Sequence, residues 1–327
     1  MIQYILRRVM LMIPSLLAIS IVSFIIIQLP PGDYISSYVA TLASSGELVD
    51  EAEIQSLRLA YGLDQPVYIQ YIKWMGRVLQ GDFGRSFEWK DKVTNIIWGR
   101  LALTVIFSLF ALIMHWVIAF PLGIYSAVRK YSVGDYIATF IVFVGIAVPD
   151  FLLALVLMVF AFMQFNLSVG GLFSADYVNA PWSFAKVLDL LQHLWIPVII
   201  LGLSGTAGLI RTMRANLLDE LHKPYVITAR SKGLPELTLL LRYPVRAALN
   251  PFISTVGWSL PGLVSGATII AIVLNLQMVG PLLLRALMSQ DLFLAATLIM
   301  LLSVLTLIGT LLSDILLAWL DPRIRFH

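Results

Sequence analysis

The feature that most constrains this chain is a set of six apolar stretches, each suited to cross a lipid bilayer as a helix. A helix of about 20 residues spans a hydrocarbon core about 30 Å thick. The stretches cover residues 9–29, 101–128, 136–165, 194–210, 247–274 and 292–320. We therefore expect an all-α polytopic membrane protein with six transmembrane helices, built as a single transmembrane domain over residues 1–327.

The composition excludes a soluble protein and several kinds of site. Hydrophobic residues make up 59% of the chain and charged residues only 13%, whereas a soluble domain has roughly a quarter charged residues. Without cysteine, disulfides, thiolate nucleophiles and thiolate metal sites are excluded. The four histidines do not lie at metal-ligand spacings, and a net charge of +3 is too small to indicate nucleic-acid binding. We expect no catalytic residues and no metal site.

The distribution of basic residues predicts the orientation of the spans. If both termini are cytoplasmic, 13 of the 22 lysines and arginines fall on short cytoplasmic segments. The outer loop at residues 30–99 then holds six basic and nine acidic residues. Cytoplasmic loops of membrane proteins carry an excess of lysine and arginine. The opposite orientation would put the most basic loop outside, so we expect both termini in the cytoplasm and an uncleaved first span.

The long outer loop contains signals for two short helices. Residues 50–53 have the pattern of a capping box, and Gly62 is a stop signal. Pro66 suits the first position of a second helix, which would end near Gly81. Two short helices on the outer face suit either docking of a partner or simple packing on the membrane surface.

The cytoplasmic loop at residues 211–246 carries the most specific punctuation in the chain. Pro224 suits a first helical position, about two turns follow, and Gly233 suits the position after a helix end. Pro235 allows a second start, running towards Arg242. Small residues in the first helix, such as Ala229, would let another protein's backbone approach closely. An ordinary basic cytoplasmic loop is the alternative, but it does not require this punctuation.

A family resemblance becomes clear in this loop. Residues 225–234 read YVITARSKGL and resemble the Y-x-x-T-A-R-A-K-G-L signature of the dipeptide/oligopeptide/nickel permease family of ATP-binding-cassette (ABC) importers. Of the broader E-A-A-x-x-x-G coupling motif, only Ala229 and Gly233 match. Tyr243 and Asn250 depart from the expected continuation. Further family-like blocks occur in order along the chain at residues 4–8, 13–16, 31–33, 61–66, 81–86 and 320–325.

The resemblance implies a type I ABC importer permease fold with a cytoplasmic coupling helix that sits in a groove of an ATPase. It also implies four partners: a second homologous permease, two ATP-binding subunits and an extracytoplasmic substrate-binding protein. The chain lacks the G-x-x-x-x-G-K-[ST] phosphate loop, so ATP and Mg²⁺ would be bound by the partner subunits. The location implied is a bacterial or archaeal cytoplasmic membrane. By this match, the ATPase-coupling residues are Tyr225, Thr228, Ala229, Arg230, Lys232 and Gly233.

Candidate pathway residues come from the spans themselves. Interrupted helices often line transport routes, which makes Pro261 and Gly262 in the fifth span candidates; a tolerated kink is the alternative. His115 and Asp150 each lie about 14 residues into spans that run in opposite directions, so straight helices would bring both near mid-membrane. An aspartate at that depth costs about 2.5–3.5 kcal/mol and should face protein or water. Asp150 therefore faces the translocation cavity or makes a structural hydrogen bond.

The function expected is import of oligopeptides or a related small solute such as an oligosaccharide. The sequence Pro-Pro-Gly-Asp-Tyr at residues 30–34 lacks the common proline after aspartate, which hints at a non-peptide branch. An ion-coupled secondary transporter is the alternative, although it should show more intramembrane charges and an internal repeat. An intramembrane enzyme would need a nucleophile–base pair, a metal cluster or an HExxH pattern.

Overall fold

The regular structure of the described residues is helical, apart from one isolated antiparallel bridge between Arg85 and Lys92. A computed structural model describes residues 2–30, 32, 34–36, 39, 51–165, 170–174, 176–178, 180–250, 252–253 and 268–320. The helices in this part are α1 Ile2–Gln28, α2 Glu51–Tyr61, α3 Val67–Val78, α4 Val93–Val128, α5 Val133–Ala147, α6 Asp150–Phe165, α7 Phe184–Leu221, α8 Pro224–Ser231, α9 Glu236–Arg242, α10 Pro244–Ala248, α11 Val279–Met288 and α12 Leu292–Leu320.

Among the residues that the structure describes, three helices are individually long and apolar enough to cross a membrane. They are Ile5–Gln28, Val93–Val128 and Leu292–Leu317, and the number rises to five if each of two bent helix pairs is one span. The last predicted span coincides with α12, while α4 begins eight residues before the predicted start at residue 101. Much of the fifth predicted span, residues 254–267, lies outside the described residues.

The third predicted span is not one straight helix. It is divided into α5 and α6, whose axes differ by 102°. Val148 at the break has an extended backbone, with φ −90° and ψ 121°. The following Pro149 explains this conformation, because a proline ring disfavours helical geometry in the residue before it. The prediction of a continuous helix over residues 136–165 was therefore wrong.

The fourth predicted span, residues 194–210, lies within a much longer helix. Helix α7 has 38 residues and bends by 54° between its parts Phe184–Ile200 and Gly205–Leu221. Pro197 lies near this bend, where its missing N–H removes one helical hydrogen bond. The C-terminal part of α7 extends through residue 221, so the first third of the predicted cytoplasmic loop is helical.

The chain divides into two compact units. The first comprises Val105–Gln277 and Ile308–His327 with Met1, and the second comprises Ile2–Thr104 and Met278–Leu307.

In the second unit, the two short helices predicted in the outer loop are present. Helix α2 is followed by Gly62, which has φ +68°. Pro66 is the N-cap of α3, so this helix begins one residue later than predicted. Trp74 of α3 is fully buried and stacks on Phe24 of α1, with ring centroids 5.5 Å apart. Asp50 of the predicted capping box lies outside the described residues.

A buried carboxylate anchors the 81–86 block of the second unit. Asp291, which immediately precedes α12, is fully buried and accepts a hydrogen bond from the Ser86 hydroxyl. It also accepts backbone N–H bonds from Phe87 at 2.9 Å and Glu88 at 3.2 Å. Buried carboxylates need such donors. The end of this family-like block is thus held by hydrogen bonds against the residue that precedes α12.

In the first unit, a buried ion pair joins the N-terminal end of α5 to α7. Asp135 is 2% exposed, and its carboxylate accepts hydrogen bonds from Arg214 Nε at 3.1 Å and Nη2 at 2.9 Å. The Ser126 hydroxyl and the Tyr131 backbone N–H also donate to it. One carboxylate therefore ties together the end of α4, the α4–α5 turn and α7.

Candidate functional site: the cytoplasmic coupling loop

The predicted punctuation of the 211–246 loop is confirmed. Helix α8 begins with Pro224 at its first turn, after Lys223 as N-cap. Gly233 has φ +76°, the left-handed conformation that glycine adopts at a helix end. Pro235 caps α9, which ends at Arg242 as expected. The result is two short helices joined by a tight turn.

The inner face of α8 forms a small apolar core with α9. Val226 and Ala229 are buried against Leu239, with Leu234 and Tyr243 packed around them. Ala229 was predicted to contact an ATPase, but its side chain is only 8% exposed because it packs into this core. Its small side chain lets α8 lie close to α9, and its part in the ATPase contact stays a prediction.

The outer face of α8 is open to solvent. Of the other predicted coupling residues, Tyr225 is 40% exposed, and Thr228, Arg230, Lys232 and Gly233 are also exposed. Ile227 adds an aliphatic side chain that is 54% exposed. An aromatic ring, an aliphatic side chain and two cations on one short helix are a composition suited to a protein interface.

An ion pair orients one of these cations. Arg230 donates from Nε to Glu236 Oε2 at 3.1 Å and from Nη2 to Oε1 at 2.6 Å. The side-chain hydrogen bonds lower the pKa of Glu236 and raise the pKa of Arg230. Such two-point pairing fixes the plane of a guanidinium. Glu236 was not among the predicted coupling residues, although Pro235 in the sequence marks the start of α9 beside it.

A second carboxylate holds the turn before α8. Glu220, in the last turn of α7, accepts hydrogen bonds from Lys223 Nζ at 2.5 Å and from the Tyr225 hydroxyl. Partial burial opposes ionisation of Glu220, but these hydrogen bonds outweigh it and lower its pKa. Burial and the Glu220 carboxylate raise the pKa of Tyr225. In the sequence, Glu220 lies three residues before Lys223, and this spacing predicts that the two side chains meet on one helical turn.

The candidate pathway residues of the first unit lie around α7. Asp150 begins α6 and lines a cavity of about 180 Å³ with Thr206 and apolar side chains that include Val144 and Leu153. His115 is buried and packs against Gly205, the neighbour of Thr206 in α7. Because α5 and α6 meet at a 102° break, the depth of Asp150 in the membrane does not follow from counting residues along one straight helix. Pro261 and Gly262 lie outside the described residues.

Comparison with protein families identifies the chain. Residues 119–326 match the model of the binding-protein-dependent transport system inner membrane component family, and residues 1–108 match the N-terminal model of such membrane components. The chain belongs to this family. It is a multi-pass ABC transporter permease of the cytoplasmic membrane.

Full-length relatives of the permease are named as peptide transporters. The oligopeptide transport system permease protein AppB of Bacillus subtilis (strain 168) is 35% identical over 327 residues, covering all of both chains. The dipeptide transport system permease protein DppB of Alkalihalophilus pseudofirmus is 30% identical over 340 residues, again covering both chains completely. The oligopeptide transport system permease protein OppB of Escherichia coli (strain K12) is 27% identical over 329 residues with the same coverage.

Proposed function

We propose that this permease and a second homologous permease form the translocation pathway of an ATP-driven importer of oligopeptides. An extracytoplasmic binding protein delivers the substrate, and two ATP-binding subunits supply the energy. The names of the full-length relatives favour peptides over oligosaccharides as substrate. We further propose six spans with both termini in the cytoplasm, as the distribution of basic residues favours.

The observation that carries this proposal is the construction of α8. Its inner face is buried on α9, so its position relative to the rest of the loop is held by packing. Its outer face presents Tyr225, Arg230 and Lys232 to a partner. ATP chemistry belongs to the partner subunits in this proposal, and the permease receives their movement through α8.

Charge reversal on α8 is expected to uncouple the permease from its ATPases. In Arg230→Glu/Lys232→Glu, two exposed cations become anions. ATPase binding and ATP-dependent uptake should fall at least tenfold, because a hydrogen bond to a charged group contributes about 1.5–3 kcal/mol. The measurements are copurification of the ATP-binding subunits and vanadate-sensitive uptake in proteoliposomes.

The matched control reverses Arg129 and Lys130, two exposed cations in the α4–α5 turn. This control should retain near-normal ATPase binding and uptake. Wild-type behaviour of the α8 variant would contradict the coupling role. An ion-coupled secondary transporter would instead transport without ATPase subunits and respond to dissipation of an ion gradient.

For the pathway, we propose that Asp150 presents its carboxylate to the passing substrate. It lines an otherwise mainly apolar cavity, and we find no hydrogen bond to its carboxylate within the described part of the chain. His115 packs against Gly205 of α7, next to Thr206, which lines the same cavity.

Removal of the Asp150 charge should slow uptake. We expect Asp150→Ala to lower peptide uptake about fivefold or more and Asp150→Asn to lie between it and wild type, since an amide keeps polarity without charge. Uptake kinetics at matched protein levels provide the measurement, with Asp176→Asn as an exposed control. Unchanged kinetics in Asp150→Ala would leave only the structural alternative.

A further inference from the structure

The connection between α7 and α8 is short, and the Glu220 side chain bonds to residues on it and beyond it. Only His222 and Lys223 separate the two helices. Glu220, before this connection, accepts hydrogen bonds from Lys223 within it and from Tyr225 beyond it. The Glu220 side chain is 16% exposed, whereas its two donors are exposed, with Lys223 at 50% and Tyr225 at 40%.

Helix α8 is also connected to α7 through apolar contacts, but these contacts pass through two other helices. Val226 and Ala229 pack on Leu239 of α9, and α9 is followed directly by α10. Val245 and Ala248 of α10 then pack against Met213 and Leu217 of α7. This apolar route from α8 to α7 therefore runs through two further short helices. The Glu220 bridge is a direct link between the same two elements.

We propose that Glu220 is a positioning residue for ATP-driven transport, and the proposal rests on the function proposed above. Its carboxylate holds α8 at one orientation on the end of α7, so a displacement of α8 by the ATPase displaces α7 with it. Without this bridge, the connection keeps its backbone hydrogen bonds and the contact of the His222 ring with the Leu218 carbonyl, but no carboxylate ties Lys223 and Tyr225 to α7, so part of the movement is absorbed. The consequence is specific: ATP hydrolysis continues, but fewer substrate molecules enter per ATP.

Asp219 provides a matched control for the experiment. It is adjacent to Glu220 and carries the same charge, but it is exposed, and we find no hydrogen bond or ion pair for it in the described part of the chain. The test uses the complete importer in proteoliposomes, with substrate uptake and ATP hydrolysis measured on the same samples. The variants are Glu220→Ala, Glu220→Gln, Tyr225→Phe and Asp219→Ala.

The transport-to-hydrolysis ratio is the decisive quantity. We expect this ratio to fall about three- to tenfold in Glu220→Ala, as befits loss of a charge-assisted hydrogen bond, with complex assembly and thermal unfolding close to wild type. Glu220→Gln and Tyr225→Phe should show smaller losses, because each keeps part of the bridge. Asp219→Ala should match wild type. A purely structural role would lower stability and assembly without changing the ratio.

A double variant tests whether the two residues act through one bond. If they do, Tyr225→Phe should lower the ratio little further in the Glu220→Ala background. A wild-type ratio in Glu220→Ala, or in both Glu220→Gln and Tyr225→Phe if Glu220→Ala does not fold, would overturn the proposal. Failure of the proposed function is a different result: the wild-type complex would show no ATP-dependent, vanadate-sensitive uptake.

Discussion

Gly205→Ala is expected to disrupt the packing of α4 on α7. A methyl group at this position would lie under 3.0 Å from the ring of His115. The His115 ring is only 6% exposed and has little room to move away. Overpacking a tight core costs about 1–3 kcal/mol or more. We expect a large loss of monodisperse protein in detergent and a clearly lower midpoint of thermal unfolding.

The same helix offers a control for this substitution. A methyl group at Gly208 would meet no atom within 4 Å. Gly208→Ala should therefore be neutral or stabilising by about 0.5–1 kcal/mol, because alanine favours the helix over glycine. Combining Gly205→Ala with His115→Ala removes the clash and should restore folded protein. If Gly205→Ala were as stable as Gly208→Ala, the close contact with His115 would be refuted.

Asp135→Ala is expected to have the second large effect. The substitution leaves Arg214 without its carboxylate and removes the acceptor for the Ser126 hydroxyl and the Tyr131 N–H. Removing one partner of a buried ion pair costs about 3–5 kcal/mol. The Arg214 side chain is 30% exposed, which allows partial hydration and favours the lower end of that range. The fall in unfolding midpoint of the purified permease measures this loss.

A double-mutant cycle isolates the contribution of the pair. Arg214→Ala should also destabilise the permease, because it leaves the Asp135 carboxylate buried with fewer donors. The double variant should be less destabilised than the sum of the two single variants by at least about 1 kcal/mol. Asp176→Ala, which removes an exposed charge, serves as the control. Additive effects would show that the two side chains do not stabilise each other.

The predictions that were confirmed depend on local signals. The bounds of α12 follow from one long, mostly apolar stretch in which Asp314 is the single charged residue, and the limits of α8 follow from Pro224 and Gly233. These residues act on their own backbone conformation: proline fixes φ and removes a donor, and glycine tolerates positive φ. Such effects can be predicted from the local sequence alone.

The features that were missed depend on distant partners or on three-dimensional direction. Asp135 and Arg214 are 79 positions apart, so no spacing rule pairs them. The inward direction of Ala229 is set by Leu239, which belongs to another helix. Pro149 lies within an apolar run, where a proline is compatible with a mild kink as well as with the complete break observed.

The break between α5 and α6 has a consequence for hydration. Helix α5, with 15 residues, is only about 22 Å long. Among its last four carbonyl groups, that of Val144 accepts from the Val148 N–H at 3.1 Å, while those of residues 145–147 lack partners within the helix. Hydrocarbon cannot satisfy those oxygens, so protein or water must meet them. Gly145 and Val148 at the end of α5 line the same cavity as Asp150. Solvent held there would hydrate the carbonyls, and the amide groups of a peptide could replace that solvent one hydrogen bond at a time.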